Sequence, residues 1–188
     1  MKNTQTLVLA ALLAALTYIA TTVIKIPTPT FGYVHIGDTF VLLSGFLLGP
    51  VIGGLSAGVG SMLADLLGGY AIWAPGTFTI KLATAMAAAA VFRALNKPSG
   101  NNKRLHLLPR AIVAGIAGEA VMIFGYFLYN ILVLTLVNTG AESITLSAAV
   151  AESLAEIPFN AVQAVVGIGL SNVLLPVTTK LPARQVNS

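Results

Sequence analysis

The stretch Ala151–Gln163, AESLAEIPFNAVQ, lies inside an apolar run long enough to be a membrane helix. It carries Glu152, Glu156, Asn160 and Gln163. At about 100° per residue these four side chains fall within an arc of about 80° on one helical face. Lipid offers no cheap place for such a face. A charged side chain at the bilayer centre costs at least about 2.5–3.5 kcal/mol. The four residues therefore face other protein or a wet cavity, and a bundle has to surround them.

Composition agrees. Of 188 residues, 56% are hydrophobic and 9% charged, against about 25% charged in soluble domains. The absence of cysteine excludes disulfides and thiolate metal sites. The net charge of +4 is small, and no segment reads as nucleic-acid-binding. There is no Walker A motif, no HExxH and no serine–histidine pairing, so an enzyme is not expected. Glu152-x3-Glu156 could hold a hard cation, but no His or Cys completes a metal site. Lys2 and the apolar run after it continue to Ile24 without a small-residue cleavage site, which reads as a retained span, not a signal peptide.

The expected fold is an all-α integral membrane protein, a single membrane domain over residues 1–188 with six transmembrane helices. At about 20 apolar residues per crossing, the spans fall near 6–24, 38–48, 51–67, 78–95, 112–137 and 146–175. The second and third are short, split by Gly49-Pro50, and fit tilted spans or a tight embedded hairpin. The Pro/Gly-rich KIPTPTFGYVHIG, Lys25–Gly37, is a loop. Pro158 predicts a kink in the last span. Six spans put Lys2, Arg93, Lys97, Lys103, Arg104, Arg110, Lys180 and Arg184 on one side, which the positive-inside rule makes cytoplasmic with both termini. Lys25 and Lys81 break the pattern, and the outer loops carry Asp38, Asp65 and Glu142 near their ends.

Two more spans carry polar stripes. Glu119, Tyr126 and Asn130 lie within about 40° on span five, and Thr77, Lys81 and Thr84 within about 60° on span four. At 1.5 Å per residue Glu152, Glu156 and Asn160 sit roughly 8, 14 and 20 Å below the outer end of span six. Overlapping depth predicts a pocket open to the outside. Its three acids against Lys81 suit a cationic ligand or one offering N–H donors. A purely structural network, with Lys81 paired to a glutamate and Asn160 and Gln163 joining helices, is the plainer alternative. Phe31, Tyr33 and His35 on the first outer loop, and Tyr70 and Trp73 on the second, supply a lid, although each aromatic alone is equally an interfacial anchor. His106 has no assigned role.

Small residues point to partners. Ala10-x3-Ala14 and Ala11-x3-Ala15 make a smooth strip on span one, the kind that lets helices approach closely in lipid. Span one has no part in the stripes, so this strip is the candidate outward docking face.

The stretch IPTPTFGYVHIGDTFVLLSGFLLGPVIGGLSAGVGSMLADLLGGYAIWAPGTFTIK, Ile26–Lys81, resembles the substrate-binding S components of energy-coupling factor (ECF) vitamin transporters, closest to the riboflavin-transporter-like branch. Gly37-Asp38, Leu48-Gly49-Pro50 and Ala64-Asp65…Gly69-Tyr70 carry the likeness together, and the alanine strip is similar to the family's docking signature. The resemblance implies six helices, an outer pocket gated by the first loop, and a prokaryotic plasma-membrane location. It implies a transmembrane T component and two ATPase subunits as partners. The chain itself binds no cofactor. ATP used by the ATPases drives it to topple so that the pocket faces inward. The carboxylate surplus favours hydroxymethylpyrimidine, pyridoxine or thiamine over riboflavin. The competing function is an autonomous proton-coupled carrier with Glu152 and Glu156 as relay, against which the lack of inverted repeats counts.

Overall fold

A computed structural model describes residues 2–28, 32–96, 107–137 and 144–178. Among these residues six α-helices occur in the order α1 Lys2–Val23, α2 Asp38–Leu48, α3 Pro50–Leu67, α4 Ala74–Ala94, α5 Leu107–Val137 and α6 Leu146–Thr178. Five of them are long and apolar enough to cross a membrane; α2 is the exception.

The loop after α1 is not wholly irregular. β1 Lys25–Pro27 and β2 Tyr33–His35 pair antiparallel, with Lys25 opposite His35 and Pro27 opposite Tyr33. This small ribbon modifies the all-α expectation. Pro27 excludes helix, but its missing N–H is tolerated at an isolated edge.

At about 1.5 Å per residue, α2 is about 16 Å long, half of a hydrocarbon core. It is not lipid-facing. Asp38, Thr39, Val41 to Phe46 are buried, with α1, α3, α4 and α6 packed around it. A short helix with polar side chains is tolerated at membrane depth only when protein encloses it, and α2 is enclosed and doubles back onto α3 as a tight hairpin. Gly49 makes the turn at φ 84°, a left-handed backbone that glycine adopts without strain, and Pro50 starts α3.

Small residues set the helix spacing. A Cβ at Gly60 of α3 would run into the Ala14 carbonyl of α1, and Ser56 donates to the Ala10 carbonyl at 2.7 Å. Ala10 and Ala14 therefore pack toward α3, while Ala11 and Ala15, one position round, are exposed. The sequence strip splits into an inner and an outer row. Apolar packing gathers at the C-terminal end of α2, where Leu42, Leu43 and Phe46 meet Leu13, Phe92 and Leu175. The end nearer the ribbon is left open. α4, α5 and α6 begin or end up to five residues beyond the hydropathy-based spans. α6 continues unbroken through Pro158.

Candidate functional site

A cavity of about 790 Å³, its mouth included, opens at the ribbon end. α6 supplies the face quoted first: Glu152, Glu156, Asn160 and Gln163 all line it. Tyr126 and Asn130 come from α5, Thr77 from α4, and Tyr33 and His35 from β2. Tyr70 and Trp73 lie on the turn between α3 and α4. The whole α6 stripe and part of the α4 and α5 stripes thus meet in one place.

Two expected wall residues stand elsewhere. Lys81 is fully buried, 2.5 Å from Asp38 Oδ1, and does not line the cavity. Its partner is an aspartate 43 residues away, not one of the glutamates. Glu119 is buried nearby with neither carboxylate oxygen hydrogen-bonded. Gln163 is committed to this layer as well as to the cavity. Its Nε2 donates to Asp38 Oδ2 at 2.7 Å, and its Oε1 accepts from the His35 backbone N–H at 3.1 Å. One amide ties α6, α2 and the ribbon together.

The ribbon is held over the cavity by polar contacts. Thr28 Oγ1 donates to Glu156 Oε1 at 2.6 Å. The Tyr33 hydroxyl donates to Asp65 Oδ1. Lys25 Nζ lies 4.0 Å from the Tyr33 ring centre and 4.4 Å from that of Tyr70, whose rings are 5.0 Å apart. Burial lowers the Lys25 pKa, opposed by the Asp65 charge. Burial also raises that of Tyr33, with the Asp65 charge and hydrogen bond adding to it. His35 accepts from the Gly37 N–H through Nδ1 at 3.0 Å. Burial pushes its pKa down to about 3, the Asp38 charge opposing and Lys81 and Lys25 reinforcing. His35 is therefore a neutral imidazole protonated on Nε2.

Sequence reasoning missed Asp65, Ser61 and Thr21 as lining residues and Asp38 as the partner of Lys81. Asp38 and Asp65 read as loop-end charges because each closes an apolar helix. Thr21 shows that α1 does contribute to the site. Phe31, Lys97, Lys103, Arg104, His106, Glu142, Lys180 and Arg184 lie outside the described residues. Among the described residues no group of three or more His, Asp or Glu converges on one point that could hold a metal ion.

Helices too apolar for water and an open cavity at one end define a multi-pass membrane protein. Residues 1–180 match the family model described as ECF-type riboflavin transporter, S component, and the chain belongs to that family of transporter substrate-binding components. A curated relative in Pyrococcus woesei, described as an uncharacterized protein in gap 3'region, is 33% identical over 109 residues. That match spans 57% of this chain and 66% of the relative, just under two thirds. A solved structure, described as "Structure and mechanism of the S component of a bacterial ECF transporter", is similar with a TM-score of 0.66 at 23% identity, covering 95% of this chain and 97% of that one. At that identity the likeness speaks for the fold. The family is not one of enzymes.

Proposed function

We propose that this chain is the riboflavin-binding subunit of an ECF-type importer in a prokaryotic plasma membrane. The observation that carries the reading is the cavity at the ribbon end, rimmed by Tyr33, Tyr70 and Trp73 and walled by Glu152, Glu156 and Asn160, in a chain of this family. Flat rings stack on aromatic side chains, and polar groups at fixed points orient them.

Two of the acids at the site already hold partners within the protein. Asp65 accepts from Tyr33 with Lys25 alongside, and Glu156 accepts from Thr28. Carboxylates also accept from alcohol hydroxyls as readily as from an aminopyrimidine, and the family's description names riboflavin. Riboflavin therefore replaces hydroxymethylpyrimidine, pyridoxine and thiamine as the first choice.

The rest of the reading is topological. The chain forms one membrane domain crossing six times, α2 and α3 acting as a short pair, with both termini cytoplasmic and the cavity facing outward. Ala11 and Ala15 dock onto the T component, and two ATPase subunits complete the transporter. The test is mass spectrometry of small molecules released from gently purified protein. Near-stoichiometric riboflavin is expected. A pyrimidine or pyridine vitamin in its place overturns the choice of substrate. Absence of retained ligand together with no riboflavin binding on titration overturns the reading. If Glu156→Gln with Asn160→Ala leaves binding unchanged in a folded protein, the pocket assignment is wrong.

A further inference from the structure

Serine and threonine inside helices ordinarily satisfy their hydroxyls by donating to the carbonyl one turn back. Thr17, Ser44, Thr84 and Thr135 do this here, to the carbonyls of Leu13, Phe40, Ile80 and Ile131 at 2.7–2.8 Å. Thr21 on α1, Ser61 on α3 and Ser153 on α6 do not. Each is 1–2% exposed, and none of the three hydroxyls has a hydrogen-bond partner. All three line the cavity. Thr39 is the fourth buried hydroxyl of this kind among the described residues, and it stands outside the cavity.

A buried hydroxyl without a partner costs about 1–3 kcal/mol. Three helices pay it at one cavity while their neighbouring hydroxyls find a carbonyl. Thr21, Ser61 and Ser153 leave unmade the bond their own helices offer. We propose that Thr21, Ser61 and Ser153 form a subsite for a polyhydroxylated chain of the ligand. The chemistry is reciprocal. A hydroxyl is one donor and two acceptor lone pairs, so a chain of alcohols can donate to one wall and accept from the next. Carboxylates such as Glu152 only accept, and leave such a chain's own acceptors unmet. Ser and Thr supply the missing donors without charge. This inference rests on the flavin reading above. It assigns the sugar-alcohol arm to these hydroxyls and leaves the ring to the aromatic rim.

The experiment compares riboflavin with lumiflavin, which keeps the ring system and lacks the polyol arm. Both are titrated by fluorescence quenching against the purified chain and against Thr21→Val, Ser61→Ala and Ser153→Ala. Riboflavin affinity is expected to fall roughly three- to tenfold in each variant and at least about thirtyfold in the triple variant, with lumiflavin affinity unchanged. Unchanged riboflavin affinity in the triple variant overturns the subsite, the hydroxyls then holding water only. Equal loss for both probes overturns it too, because the effect then lies in the fold. Wild-type protein that binds lumiflavin as tightly as riboflavin removes the subsite and leaves the flavin reading standing. Wild-type protein that binds neither removes both.

Discussion

Lys81 and Asp38 are each wholly buried and 2.5 Å apart, with Gln163 completing the aspartate's second oxygen. Removing one partner of such a pair leaves an uncompensated buried charge, costing about 3–5 kcal/mol. Lys81→Met should therefore lower the detergent melting midpoint sharply, and Asp38→Leu added to it should restore most of the loss. A single variant as stable as wild type would mean that water reaches the pair. His35 gives a pH signature. Its folded pKa is about 3 against an ordinary 6.5. Between these values the unfolded chain takes up a proton that the native chain refuses. The stability contribution is complete above about pH 6.5 and falls as the pH drops toward 3, by up to about 1.4 kcal/mol per unit. His35→Gln should flatten that slope in unfolding titrations between pH 7 and 4. An identical slope in the variant would show that another group carries it.

At the scale of elements, α1 presents two alanine rows, one packed inward and one exposed. The inner row lies against α3 at Gly60. Gly60→Leu should cost about 1–3 kcal/mol through overpacking, read in the same melting assay. Ala11→Leu with Ala15→Leu should leave stability within about 0.5 kcal/mol and abolish co-purification with the T component. Intact co-purification would move the docking face elsewhere. The ribbon has its own latch in the Thr28–Glu156 hydrogen bond. A hydrogen bond is worth about 0.5–1.5 kcal/mol net, so Thr28→Val should speed riboflavin exchange by roughly two- to tenfold. Exchange at the wild-type rate would show that the ribbon is held by Tyr33 and Lys25 instead.

For the whole molecule, the proposal makes this chain a binder, not a pump. Reconstituted alone in vesicles it should bind riboflavin at its outer face and accumulate none inside. Uptake should appear only with the T component, both ATPase subunits and ATP. ATP-independent accumulation by the isolated chain, abolished by Glu152→Gln, would instead support a proton-coupled carrier.

Much of this protein is legible in period and depth. An α-helix repeats every 3.6 residues, so the spacing of Glu152, Glu156, Asn160 and Gln163 placed them on one face whatever surrounded them, and lipid's intolerance of charge required a cavity or a network there. Apolar length alone located the long helices. What tertiary structure decided is which polar groups are spent on each other. Asp38 and Lys81 are 43 residues apart, and Asp38 and Gln163 are 125 apart. No local periodicity encodes such pairings, because they depend on how helices stack. The same stacking separated the two alanine rows, enclosed the half-length α2 and paired three residues with three in the ribbon. It also left three hydroxyls without partners around the cavity, since a side chain's sequence position does not say whether its own helix or a neighbouring space will receive its hydrogen bond.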